Sequence, residues 1–431
     1  MMRFIGALIL VLGAGCGDGG LIPENADAFS PQPDLLVAST PDKRPPPANC
    51  TAGPIQNYGG GGEIALTAAQ GNGFALAFVT NTEQGNVSAL LLLDRNGLVQ
   101  KTVALGAGGN AQIVHGNFTN TLATFQTGSS GETATGRMDA DGGNFRQYRL
   151  PQNPSFLSPI FVDSVHGLSR QAWIDVEPNP NPALACAGIK IGETASDGKM
   201  GGYYIKSLAL RDGRCLSDGR NVLEAFATDY AANIIAVHES PSESSGRLSL
   251  FIGHDSTYDR TDFDGWDGND GAIPSYSFFE QIDRLMTGGF VVPIQRWTMP
   301  PSDTAEPVFD RTRLFFFDVN GKYTKTVTLP HFMGYDTVDE GFWTTNHYIA
   351  TISLDDVETN HTFFHLMDED GTPLHGLRLG TVENNWNTQA KIVKNNASGD
   401  TGYAFFAVWG GGRSSAANSF APIYGARITC K

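Results

Sequence analysis

The sequence predicts an all-β chain built from small antiparallel sheets that repeat along its length. Three observations carry this. The stretch Leu90 to Leu105, LLLLDRNGLVQKTVAL, joins an apolar run to an alternating apolar and polar run through an Asp-x-Asn-Gly turn, which is a β-hairpin signal. The motif recurs as GRMDADGGNFRQYRL around Gly142, LALRDGRCLSDGRNVL around Gly213, LFFFDVNGKYTKTVTL around Gly321 and HLMDEDGTPLHGLRL around Gly371. Composition agrees: 41% hydrophobic residues, 51 Gly, 26 Phe and only 17% charged residues suit a turn-rich chain with a large core. Past the N-terminal apolar run, no amphipathic helical pattern exceeds about two turns.

The chain begins MMRFIGALILVLGAG, with Arg3, an apolar run from Phe4 to Leu12 and small residues before Cys16. That is the layout of a signal peptide over residues 1–15, too short to span a bilayer as a mature helix. The small-small-Cys ending resembles the lipobox of bacterial lipoproteins, although Leu12 lies four residues before Cys16 where those boxes have Leu at three. The resemblance implies that Cys16 is lipidated and anchors the chain to a membrane. Residues 16–49 then form a tether. Its Pro, Ser and Asp, relieved only by Leu35-Leu36-Val37, cannot bury enough surface to offset the entropy of ordering.

The folded domain is expected over residues 50–431, in seven units of four strands. Two strands precede each hairpin: Glu63 to Ala69 with Gly73 to Val79, Gln112 to Gly116 with Thr121 to Gln126, and Ile160 to Asp163 with Gln171 to Ile174. Further on come Ala225 to Thr228 with Ile234 to His238, Arg284 to Thr287 with Phe290 to Arg296, Thr337 to Trp343 with Tyr348 to Leu354, and Ala390 to Lys394 with Tyr403 to Trp409. The fourth unit, RLSLFIGHDSTYDR, lacks a clean hairpin turn, which leaves counts of six or eight open. The last unit runs out of sequence: IYGARITCK matches a third strand, and the missing fourth can come from the start of the domain, CTAGPIQ, Cys50 to Gln56. Sharing one sheet between both termini resembles the closure of β-propellers, which leaves only short protected edges. A β-sandwich is the competing all-β class.

Five cysteines are present. With Cys16 lipidated, four remain for oxidation in an exported protein, and three pairings are possible. The favoured one joins Cys186 to Cys215, close in sequence, and Cys50 to Cys430, which would lock the ring.

In such a ring, connections from second to third strand share one face with the connections between units. Here they are Thr80 to Asn86, Thr127 to Glu132, Asp175 to Gly202, Glu239 to Gly246, Met299 to Thr312, Asp355 to His361 and Gly410 to Pro422. Varied loops on a rigid scaffold make this face and its central funnel the expected binding region. Trp173, Trp297 and Trp409 recur near the end of second strands, and His238 closes that of the fourth unit; all four are candidate ligand contacts, with packing between sheets the duller reading for the tryptophans. TDFDGWDGNDG offers Asp262, Asp264, Asp267 and Asp270 to a Ca2+ ion. It departs from the EF-hand pattern at Trp266 and at Ile273, where a bidentate Glu belongs, and a solvated acidic turn is the simpler reading.

His361 and His365, on one face of a strand about 13 Å apart, are too far apart for one ion. There is no GxSxG nucleophile motif, and Gly59 to Gly62 lacks the continuation of a P-loop and reads as a flexible lead. A formal net charge of −16 opposes nucleic-acid binding. The chain as a whole resembles uncharacterised propeller lipoproteins. That resemblance implies a monomeric recognition or scaffold module at the bacterial envelope, anchored to the outer membrane, with a glycan or envelope protein as ligand and no cofactor. The alternative is a carbohydrate-active propeller enzyme of glycoside hydrolase or lyase type, whose acids come from different units and leave no local motif.

Overall fold

A computed structural model describes thirty strands together with residues 47–49, 53–55, 61, 73, 83, 94–98, 141–145, 318, 322, 369–372, 411–412, 420–421 and 431. The chain opens with β1 (Cys50–Ala52) and β2 (Gln56–Gly60). The first sheet follows as β3 (Gly62–Ala68), β4 (Phe74–Thr82), β5 (Gly85–Leu93) and β6 (Val99–Ala107), and the second as β7 (Gly109–His115), β8 (Asn120–Thr127), β9 (Glu132–Asp139) and β10 (Arg146–Arg149). The third comprises β11 (Phe161–Asp163), β12 (Leu168–Val176) and β13 (Ala187–Thr194). After β14 (Ala209–Leu210) comes the fourth, β15 (Asn221–Thr228), β16 (Asn233–Ser242), β17 (Ser245–His254) and β18 (Thr257–Phe263). The fifth holds β19 (Ser275–Phe279), β20 (Asp283–Arg284), β21 (Phe290–Thr298), β22 (Val308–Phe317) and β23 (Tyr323–Thr328). The sixth is β24 (Gly341–Thr344), β25 (Tyr348–Leu354), β26 (His361–Asp368) and β27 (Pro373–Thr381); the seventh begins with β28 (Gln389–Lys394), β29 (Tyr403–Gly410) and β30 (Pro422–Cys430). Among the described residues there is no helix, and so none long and apolar enough to cross a membrane.

Sheet order follows chain order, and the first strands of successive sheets lie beside one another: β3 by β7, β7 by β11, β11 by β15, β15 by β19, β20 by β24, β24 by β28, and β28 by β3 again. That last adjacency closes a ring of radially arranged sheets, a β-propeller. The ring is finished by the chain's own beginning. Both β1 and β2 pair antiparallel with β30, at Cys50↔Cys430, Thr51↔Thr429 and Gln56↔Gly425. Cys50 and Cys430 are disulfide-bonded at this junction.

Apolar side chains on the sheet faces fill the spaces between blades. Between the seventh and first sheets lie Ile64, Phe74, Leu76, Phe406, Val408 and Ile423, with the Phe74 and Phe406 rings stacked at 4.3 Å. Between the sixth and seventh lie Ile352, Phe364, Leu366, Phe405, Trp409 and Ile428. Because both faces of the β29 strand YAFFAVWG are covered, all eight of its residues are buried, and its sequence reads as a continuous apolar run rather than an alternation.

The Asp-x-x-Gly turns are structural joints. In the first sheet the Asp94 carboxylate accepts from the N–H groups of Asn96 (2.8 Å) and Leu98 (2.9 Å), and Gly97 takes the left-handed region at φ 82°. Asp368 repeats this with Asp370 (2.9 Å) and Thr372 (2.8 Å), and Gly371 also sits at φ 82°. Each turn rests on the preceding blade so closely that a Cβ on Gly97 would lie 2.6 Å from the Phe406 ring, and one on Gly371 2.6 Å from Val327. A side chain on the outer strand of that preceding blade then donates to the turn: Tyr58 Oη to Gly97 O (2.8 Å), Lys101 Nζ to Asp141 O (2.9 Å) and Lys325 Nζ to Glu369 O (2.9 Å).

Several sequence expectations are corrected. The third strand of the third sheet is β13, inside the stretch expected to be the connection Asp175 to Gly202; its alternating Ile189 and Ile191 signal a strand. The run before Gly213 supplies β14, which pairs in parallel with β18 rather than within the third unit. The fourth unit does possess its hairpin, with His254 opposite Thr257. The fifth sheet takes its first strand in two pieces, β19 and β20, both on β21, instead of from Arg284 to Thr287.

Candidate functional site

Strand direction assigns the two faces. Third strands all run the same way, so β5, β22, β26 and β30 end on the face that carries the Asp-x-x-Gly turns. Cys430 is at the end of β30, so the N-terminal segment leaves the domain on that face. There Ala48 N and Asn49 N donate to Lys431 O (2.6 and 3.0 Å), and His375 Nε2 lies 2.6 Å from Pro47 O. The opposite face carries the connections from second to third strands and from blade to blade.

On that opposite face the described residues show a rim built at the junction of the last and first blades. Gly411 N donates to Pro422 O, Gly412 N to Gly61 O, Ala421 N to Gly412 O and Gly61 N to Ala421 O, at 2.9 to 3.0 Å. The backbones approach so closely that a Cβ on Gly411 would stand 2.6 Å from Gly61 O, and one on Gly61 2.5 Å from Phe78. Gly60 to Gly62 are therefore a tightly packed joint, not a flexible lead, while the space around Gly59 is open. Next to it Glu63 is exposed at φ 52°, within a bulge of β3, and Gln389 Oε1 at the start of β28 accepts from Ile64 N. Bulges re-aim side chains, and this one lies at the end of a first strand on this face.

The connections on this face differ in length. The expected loop Thr80 to Asn86 is mostly ladder, with Thr82 opposite Gly85, and Glu239 to Gly246 likewise narrows to Ser242 opposite Ser245. By contrast β12 ends at Val176 and β13 starts only at Ala187, and β21 ends at Thr298 with β22 starting at Val308.

The candidate ligand residues separate. Trp409 is 1% exposed between the sixth and seventh sheets, its ring stacked 6.4 Å from Tyr424 and filling the space left by Gly380. It is a packing residue there and does not line a pocket; the physical reason is that β29 is covered on both faces. Its indole N–H has no hydrogen-bond partner. Trp173 lies in β12 opposite Lys190, Trp297 in β21 opposite Tyr276, and His238 in β16 opposite Leu248, all in second strands as expected; their side chains lie outside the described residues. Asp262 belongs to β18 opposite Ser249, whereas Asp264, Asp267 and Asp270 lie outside the described residues, as do Cys16, Cys186 and Cys215. Among the described residues no group of three or more His, Cys, Asp or Glu is arranged to hold a metal.

His361, Phe363 and His365 share one face of β26, and Arg378 Nη2 meets His361 Nε2. Burial pushes the His365 imidazole down to about 4, so it is neutral at physiological pH. Burial, and then the negative charge of Asp94, hold the Tyr58 hydroxyl protonated far above the usual phenol range. Sequence reasoning missed the latches made by Tyr58, Lys101 and Lys325. A signal existed for two of them, since Lys101 follows Gly97 at the same offset at which Lys325 follows Gly321.

No protein-family model matches the sequence, and no curated protein sequence does. Among solved structures, the chain is similar to the α-L-arabinofuranosidase Arb93A of Fusarium graminearum, at 9% identity over 73% of this chain and 91% of that one, with a TM-score of 0.44. It is similar to the α-L-arabinanase of Penicillium chrysogenum at 10% identity over 73% and 92%, TM-score 0.43. It is also similar to the β-propeller domain of the Trilobed protease of Pyrococcus furiosus at 6% identity over 84% and 95%, TM-score 0.43. Likeness this distant says nothing of activity, and the propeller assignment rests on this chain's own sheet order and ring closure.

Proposed function

We propose that the protein is an exported, lipid-anchored propeller of seven blades that recognises a glycan or protein of the bacterial envelope on the face opposite its tether. One observation carries this reading: the two faces are used differently. The backbone of the turn face is committed to structure, because its Asp carboxylates brace their own turns while its glycines and turn carbonyls are engaged with the neighbouring blade. The other face combines a rigid glycine-packed rim with connections of varied length, the arrangement in which binding residues ride on a fixed scaffold. Cys16 carries the lipid in this reading, and the acidic run with Asp262, Asp264, Asp267 and Asp270 is a solvated turn; loss of binding on adding chelator would assign it a Ca2+ ion instead.

The test is a binding screen of the full chain in detergent against envelope glycans and peptidoglycan fragments, with and without chelator. Saturable binding that is lost when Glu63 and Gln389 are replaced by Ala supports the reading. Release of reducing sugar from a bound glycan would replace recognition by the hydrolytic alternative. Failure of a Cys16→Ser chain to differ from the parent in mass and detergent partitioning would remove the lipid anchor.

A further inference from the structure

Five large apolar side chains are exposed among the described residues, and four of them share one location. Leu98 and Val99 (48% each), Tyr323 (53%) and Leu374 (37%) all follow an Asp-x-x-Gly turn and lie within one residue of the start of the outer strand of their blade. Turn ends of third strands lie on one face, so these four stand on the rim where the N-terminal segment leaves the domain. Leu374 belongs to the sixth blade, beside His375 and its contact with Pro47 O, and Leu98 and Val99 to the first, on the other side of the seventh blade where β1 begins. Tyr323 is one blade further, in the fifth. The root of the tether is thus flanked on both sides by exposed apolar groups.

Scattered single apolar residues need no explanation, but a set repeated at one position of the blade, on the face that carries an anchoring point, does. We infer that this sector of the turn face rests on the surface of the lipid bilayer, with Leu98, Val99, Leu374 and Tyr323 inserted at the boundary between headgroups and acyl chains. The inference rests on the lipid-anchored reading and deepens it by fixing orientation: the rim around Gly61 and Gly411 then points away from the membrane. A weak contact suffices. A lipid on Cys16 makes the contact intramolecular, so a high effective concentration supplements its affinity. Aliphatic and tyrosine side chains suit that boundary. The turn tips nearby carry both signs, with Arg95 and Lys322 beside Glu369 and Asp370, so no anionic lipid is required.

The experiment uses the full lipidated chain in phosphatidylcholine vesicles that contain brominated lipid. A fluorophore is placed at Asn96→Cys on the turn face or at Glu83→Cys on the opposite face. Quenching at least twofold stronger at position 96 than at 83 is expected, falling to the level of position 83 when Leu98→Ser, Val99→Ser and Leu374→Ser are combined. Equal quenching at the two positions overturns the inference. Should the chain fail to float with vesicles, the anchor reading has failed; the same measurement is then made with an N-terminal His-tag held by nickel-chelating lipid, which restores the tether and leaves the docking question answerable. If light scattering of the full chain in detergent shows a dimer that the three serine substitutions dissolve, and position 96 is not quenched, a second copy covers this rim instead.

Discussion

Replacing Cys50 and Cys430 together by Ala removes the covalent lock on the ring while leaving every backbone pairing of β1 with β30 possible. The two cysteines are separated by 380 residues, and the bond closes that whole loop. In the chain-entropy model this removes about 20 cal/mol/K from the unfolded ensemble, or about 6 kcal/mol at 25 °C, as an upper limit; bridges of this kind usually yield 2–5 kcal/mol. Alanine is the right substitute because both positions are buried, Cys430 fully, and a serine hydroxyl there would add a desolvation cost unrelated to the bridge. With an unfolding entropy of roughly 2.1 cal/mol/K per residue over ~380 residues, a loss of 4 kcal/mol lowers Tm by about 5 °C. Calorimetry of parent and variant at one scan rate and without reductant reads this directly. Hydrogen exchange should localise it, with protection lost first in residues 50–60 and 422–430, where the ring would open. An unchanged Tm, or protection lost evenly around the ring, would refute the reasoning that closure of the seventh blade is the weak seam.

Other predictions concern the joints. Gly97→Ala combines a left-handed φ with a 2.6 Å approach to Phe406, and should cost about 2–4 kcal/mol in chemical denaturation, whereas Gly85→Ala, with φ 108° and open space around it, should cost about 1. Tyr58→Phe removes the donor to Gly97 O and leaves a partly buried carbonyl unpaired, a loss of about 1 kcal/mol that should couple to Gly97→Ala in a double-mutant cycle. His365 is neutral in the folded chain down to about pH 4 while its unfolded counterpart protonates near 6.5, so the unfolded state binds more protons between those values. Stability should therefore fall as pH drops through that window, by about 3 kcal/mol in total, and a His365→Gln chain should show a flatter profile; a parent profile that is already flat there would contradict the burial assigned to this ring.

Local sequence determined which residues form hairpins, because the turn chemistry is local. An Asp whose carboxylate reaches the N–H groups two and four residues on, followed by a glycine free to adopt positive φ, specifies the same joint at Asp94 and at Asp368. Closure was legible in IYGARITCK, which matches a third strand; β30 pairs with β29 on one edge and takes β1 and β2 on the other, where Cys50 and Cys430 meet. Boundaries were less legible: β13 hid in an expected loop, and β14 joined a neighbouring sheet, because pairing is chosen by edges that meet in space. Trp409 shows the limit at the candidate site. A strand covered by blades on both faces buries a tryptophan as readily as a pocket would present one, and only the neighbouring sheet decides which. Likewise Gly60 to Gly62 read as slack until Gly411, Gly412 and Phe420 are found against them, for in one dimension a glycine shows freedom and in three it shows the close approach that freedom permits.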